Sequence, residues 1–170
     1  YGVARFVLRA SEFGVPQKRR RLFLFASVAH GDERVHELVS ASLASLRRFA
    51  PSAGDVLRAL PPVGSPGNAN TCPARVTFAK SPVLRASAFA GMLFNGAGRP
   101  VDLGAEFPTM TASMGGNRTP IIDEAWLRVG APAFVAEYHA RLMGGARPLS
   151  GVAPSCLRRM SVTECLAAQG

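Results

Sequence analysis

Gln17, Arg19 and Arg21 are the residues of this chain best suited to chemistry on an anion. They sit in the run Gln17-Lys18-Arg19-Arg20-Arg21, between two apolar stretches. On a strand, Arg19 and Arg21 point to one face and Arg20 to the other, because successive side chains alternate. Two guanidiniums on one face offer planar N–H donors to phosphate oxygens, and the Gln17 amide suits a base edge. A solvated basic turn beside a buried strand fits the same spacing. Arg118, next to Gly115-Gly116, is a further candidate contact to a base or phosphate, and equally a plain surface arginine.

Other reactive residue types form no site. Cys72, Cys156 and Cys165 are odd in number and include no Cys-x-x-Cys pair, and His30, His36 and His139 lie far apart. Neither a disulfide framework nor a metal site is expected, and the cysteines read as structural. Ser113, His139 and Asp123 supply the residue types of a hydrolase triad, but no Gly-x-Ser-x-Gly elbow is present. Asn117-Arg118-Thr119 has the form of a glycosylation acceptor, which has no consequence in the reduced, cytoplasmic setting expected here. Trp126, Tyr138 and the phenylalanines are expected in the core rather than stacked on bases.

The elements that must position the cluster are short. Residues 3–8 and 22–26 are apolar and rich in strand formers, so they predict two strands of one sheet, the second fully buried. The Gly-Pro loop at 11–16 joins them, and the basic run lies where that loop enters the second strand. Asp32 is expected to cap a helix reaching about Phe49, and residues 55–60 add one or two turns before Pro61-Pro62. Residues 61–75 read as an exposed linker. Residues 81–123 predict short strands and loops, and 132–143 a helix closed by Gly144-Gly145. Another loop covers 146–157, and Ser161-Val162-Thr163-Glu164 has the capping-box pattern that opens a last helix. That helix ends at Gly170; with the start at Tyr1, both ends are expected to be cut inside a larger fold.

Composition narrows the function classes. The chain has 170 residues, 48% hydrophobic and 18% charged, which fits a globular domain rather than a disordered segment. Twenty basic against 11 acidic residues give a net charge of +9, and the pI is near 10.9. Such a balance favours a polyanionic partner, although the excess of Arg over Lys also reflects codon bias. No apolar run reaches the roughly 20 residues that span a bilayer, and no signal peptide is present.

Three segments, taken in order, carry a family resemblance. Gly14-Val15-Pro16-Gln17-Lys18-Arg19-Arg20-Arg21-Leu22-Phe23 resembles the Gly-Val-Pro-Gln-x-Arg-x-Arg-x-Phe segment of DNA cytosine-5 methyltransferases. Pro108-Thr109-Met110-Thr111 through Gly115-Gly116-Asn117 is similar to the Thr-Leu and glycine loop of that family's target-recognition domain. Arg158 to Gly170 resembles its late Arg-x-Leu-Thr-x-Arg-Glu-x-x-x-Leu-Gln-Gly helix. Met160, Ser161, Thr163 and Ala168 depart from that pattern, as does Met110 from the Thr-Leu pair.

The resemblance implies an α/β fold: part of a Rossmann-like, S-adenosylmethionine-dependent catalytic domain plus a small irregular target-recognition domain. Residues 1–60 would end the catalytic domain, 61–80 form a linker, 81–157 the recognition domain, and 158–170 a helix returning to the catalytic domain. Gln17, Arg19 and Arg21 would support the pocket of a flipped cytosine, with Arg21 nearest the target base. Arg19, Arg21, Thr109, Gly115, Gly116 and Arg118 would contact double-stranded DNA. Arg158 and Glu164 would be structural, as an ion pair. The family's nucleophilic cysteine lies in a Pro-Cys-Gln segment and its assisting glutamate in a Glu-Asn-Val segment; neither string occurs here. The S-adenosylmethionine site, like those strings, is expected in an N-terminal part not contained in these residues. The piece alone is therefore expected to be inactive. The alternatives are a non-catalytic specificity subunit of a split enzyme, or an inactive remnant.

Overall fold

A computed structural model describes residues 1–112 and 114–170. Ser113, considered above as a triad member, lies outside the described residues. The described chain is mixed α/β, with three two-stranded antiparallel sheets and five α-helices. No helix among these residues is long and apolar enough to cross a membrane.

Strands β1 (Gly2–Arg9) and β2 (Arg20–Ser27) pair antiparallel in unbroken register, from Gly2 opposite Ser27 to Arg9 opposite Arg20. Helix α1 (Asp32–Leu46) covers one face of this hairpin, where Phe6 stacks on His36 and meets Phe25 edge to face. The full burial expected of β2 is not found: Leu22 and Leu24 are 62% and 63% exposed. The sheet has only two strands, and α1 shields only the face bearing Phe6 and Phe25. The opposite face, with Val3, Val7, Leu22 and Leu24, stays open.

Two expectations for α1 also change. Gly31, not Asp32, is its N-cap; the Asp32 carboxylate instead accepts from the Val3 backbone N–H at 2.7 Å and so ties helix to strand. The helix stops at Leu46, because Arg47 is extended and Arg48 bridges to Phe13. Helix α2 (Ala53–Ala59) starts on a Ser52–Asp55 capping box, two residues before the expected start.

Residues 61–77 contain no helix or strand, as a linker would, yet their middle is not free. Asn68 is fully buried and accepts from the Ser161 hydroxyl, while Asn70 accepts from the Val162 N–H. The segment therefore lies against the start of the last helix. Beyond it, β3 (Phe78–Val83) pairs with β4 (Met92–Phe94), and β5 (Ile121–Asp123) with β6 (Leu157–Arg159). Helix α3 (Glu124–Val129), which the periodicity did not reveal, is capped by the Asp123 carboxylate and closed by Gly130 at φ 67°. Helix α4 (Phe134–Met143) starts two residues later than expected, so Pro132 precedes its N-cap Ala133 instead of lying in the first turn.

The last motif divides between two elements. Arg158 belongs to strand β6 rather than to a helix, and only α5 (Val162–Ala167) is helical, opened by the Ser161–Glu164 capping box. The short run Leu157–Arg159 is too brief to show a strand period, and the backbone pairing with Ile121–Asp123 decides its form.

Apolar side chains gather in two clusters. One joins α2, Phe107 and Met110 to Met160, Cys165 and Ala168; the other joins Phe78, Phe94 and Leu93 to Val135, Tyr138 and Leu142. Tyr138 is buried, as expected, and its hydroxyl accepts from the Leu149 N–H. Trp126 is partly buried and stacks on Phe89 at 5.7 Å.

Candidate nucleic-acid interface

The Gly-Val-Pro-Gln segment is fixed by two distant parts of the chain. The Lys18 N–H donates to the Phe107 carbonyl and the Phe107 N–H to the Pro16 carbonyl, both at 2.8 Å. The Thr109 hydroxyl donates to the Lys18 carbonyl at 3.2 Å. From the other side, the buried Gln17 amide donates to the Ala168 carbonyl at the end of α5, at 3.3 Å. A β-carbon on Gly170 would lie in ordinary contact with Val15. The three segments of the family resemblance, separated by about 90 and 50 residues of chain, thus meet at one place.

That meeting forms a cleft of about 520 Å³ lined by Arg19, Arg21, Thr109, Met110, Thr111, Ala112, Met114 and Gln169. Arg19 is half-buried and Arg21 exposed, and neither is ion-paired among the described residues. The Arg21 guanidinium donates to the Arg20 carbonyl at 2.7 Å. The expected alternation holds: Arg21 shares the α1 face with Leu8 and Phe23, and Arg20 lies opposite. Behind the two arginines, Leu8, Ala10, Phe13, Val15, Phe23 and Leu43 line an almost wholly apolar hollow of about 320 Å³. Two cationic forks beside an apolar hollow suit a flat, partly apolar group that carries an anion.

A second groove, of about 370 Å³, adjoins the first through Met114 and Gln169 and reaches Gly115, Gly116 and Thr119. Gly116 has φ 51°, a conformation that favours glycine, and open space lies where β-carbons of Gly115 and Gly116 would stand. Arg118 is exposed at the end of the short 3-10 turn Gly116–Arg118 and lines neither groove. Gln17 is the exception among the predicted contacts. Its side chain is buried, so it holds the segment in place instead of facing a base.

Arg158 and Glu164 form the expected ion pair. The guanidinium donates to both Glu164 oxygens, at 2.8 and 2.7 Å, and its Nε to Glu124 at 2.7 Å. Glu164 also accepts from the Ser161 N–H at 2.9 Å and is fully buried. Burial works against the charge on Arg158, but the hydrogen bonds and charge of Glu164, with Glu124, outweigh it and hold its pKa above the ordinary value. Neighbouring Arg159 was missed by sequence reasoning. It is buried and donates to the carbonyls of Asn95, Gly98 and Thr119, so it locks the glycine-rich loop to β6. Burial lowers its pKa.

Gln169, which lines both grooves, was likewise missed as a site residue although it lies inside the late motif.

Cys165 is buried beside Glu164, and burial pushes its thiol up to about 11. Cys72 is half-buried in the second groove. A thiol of raised pKa is almost wholly protonated at pH 8, so Cys72 is expected to alkylate with iodoacetamide well ahead of Cys165. Peptide mass mapping over time checks this; faster labelling of Cys165 would contradict the burial.

A β-carbon on Gly96 or Gly98 would collide with the carbonyls of Asn117 and Thr119, so these glycines admit neighbouring backbone rather than a ligand. Among the described residues no cluster of three or more His, Cys, Asp or Glu could hold a metal ion.

No family model, curated protein or solved structure matches this chain.

Proposed function

We propose that this chain is the DNA-holding and target-recognising part of a DNA cytosine-5 methyltransferase. The observation that carries the reading is the cleft in which Arg19, Arg21 and Thr109 converge while the Gln17 amide joins their segment to the end of α5. Segments that resemble one family's motifs meet through direct hydrogen bonds, and Arg19 and Arg21, neither of them ion-paired among the described residues, line one cleft. The net charge of +9 supports a polyanionic partner, double-stranded DNA.

In this reading Arg21 grips the phosphate and edge of an extruded cytosine, and Arg19 supports the pocket wall. Gln17 positions both by fixing the strand entry. Gly115 and Gly116 let the backbone approach the duplex, with Arg118 at its flank. The hairpin and α1 belong to a Rossmann-like catalytic domain, and residues 81–157 to the recognition domain. S-adenosylmethionine supplies the methyl group; its site, the thiolate that adds to C6 of the base and the assisting glutamate belong to residues outside this chain.

The test is methyl transfer to DNA by an enzyme containing this chain. Arg21→Ala is expected to lower it by about 100-fold, the size of one strong transition-state contact, with the thermal midpoint unchanged. Unchanged turnover would remove Arg21 from the pocket.

A further inference from the structure

The face of the hairpin turned away from Arg21 carries a basic pair of its own. Arg9 stands directly opposite Arg20 in the antiparallel register. Like charges in that position repel, and a bound anion relieves them. Arg9 also lines a concavity of about 380 Å³ with Glu12, Arg47, Arg48, Phe49 and Glu106. Glu12 pairs with Arg47 at 3.7 Å and Glu106 with Lys18 at 3.8 Å, whereas Arg9, Arg20 and Arg48 have no ion-pair partner among the described residues.

Phe49 is 104% exposed, so its ring touches nothing that an extended chain would not. The backbone of the residue before it is paired. The Arg48 N–H donates to the Glu12 carbonyl at 2.9 Å, and Arg48 bridges to Phe13. An exposed aromatic ring beside arginines that lack an ion-pair partner offers a stacking face next to N–H donors for phosphate.

We propose that Arg9, Arg20, Arg48 and Phe49 form a second nucleic-acid contact that takes an unpaired stretch of DNA strand. Phe49 stacks on an exposed base, and the three guanidiniums hold the adjoining phosphates. A base in an intact duplex has no free face to offer Phe49, so the site discriminates unpaired from paired strand. This inference rests on the DNA-binding reading above.

The test uses the whole chain and a single-stranded DNA oligonucleotide with 2-aminopurine at one position, compared with the same label in a duplex. Wild type is expected to quench the single-stranded probe. Phe49→Ala should remove the quench and weaken binding roughly five- to 150-fold, while Phe49→Trp should keep both. Arg9→Ala/Arg48→Ala should make the salt dependence shallower by about 1.4 in log–log slope. All these side chains are exposed, and circular dichroism checks that the variants fold. If they bind single strands like wild type while Arg19→Ala/Arg21→Ala loses duplex binding, the second contact is overturned and the first reading stands. A wild type that binds neither probe overturns both. Weakened binding to an RNA oligonucleotide of the same sequence, with DNA unaffected, would also overturn the assignment to DNA.

Discussion

Arg158→Ala is expected to lower the unfolding free energy by about 3–5 kcal/mol, the usual cost of removing one partner of a buried ion pair. Glu164 is fully buried, and the Arg158 fork is its only cationic partner among the described residues. Without the fork, the carboxylate stays desolvated with the Ser161 N–H as its remaining hydrogen-bond donor among the described residues. Glu124 also loses its link from α3 to β6. Domains of this size are stable by only about 5–15 kcal/mol, so the variant would unfold at a much lower denaturant concentration. Arg158→Lys keeps the charge but not the two-pronged geometry, and should fall between. Urea unfolding followed by circular dichroism measures both. A loss below about 1 kcal/mol for the alanine variant would mean that Glu164 is stabilised by something else.

Arg19→Ala/Arg21→Ala is expected to behave in the opposite way, with stability retained and DNA affinity reduced. Neither guanidinium is ion-paired among the described residues, and both line the cleft. Hydrogen bonds to charged groups contribute about 1.5–3 kcal/mol each, so removing two weakens binding by about 100-fold or more. Fluorescence anisotropy with a labelled duplex, beside a urea melt of the same preparation, separates the two effects. A variant that fell in stability as well as affinity would place these arginines in the packing rather than at the interface.

The contrast between the two arginine pairs explains what was legible in the residues alone. The hairpin was, because short runs of strand formers at 3–8 and 22–26, joined by a Gly-Pro loop, are a local property. So was the Ser161 capping box, which follows from a short spacing, whereas the Arg158–Glu164 pair came from the family resemblance. The open face of β2 was not, since five apolar residues in a row look the same whether one or both faces of the sheet are covered. Asn68 was read as linker because its burial depends on Ser161, 93 residues away. Gln17 looked like a contact to a base, but a long-range bond to Ala168 turns it inward. Phe49 looked like core, and only the early end of α1 leaves it outside. Local pattern thus located the reactive groups, and non-local pairing decided which of them face solvent.

The central claim is that the cleft around Arg19 and Arg21 grips DNA phosphates. It is tested most directly by the affinity of the intact chain for a duplex between low and moderate salt. The account predicts that the logarithm of the association constant falls linearly with the logarithm of salt concentration. It also predicts that Arg19→Ala/Arg21→Ala is shallower by about 1.8, or roughly 0.9 for each phosphate that is no longer neutralised. An affinity that is flat across that range, or a double variant with the wild-type slope, would contradict it.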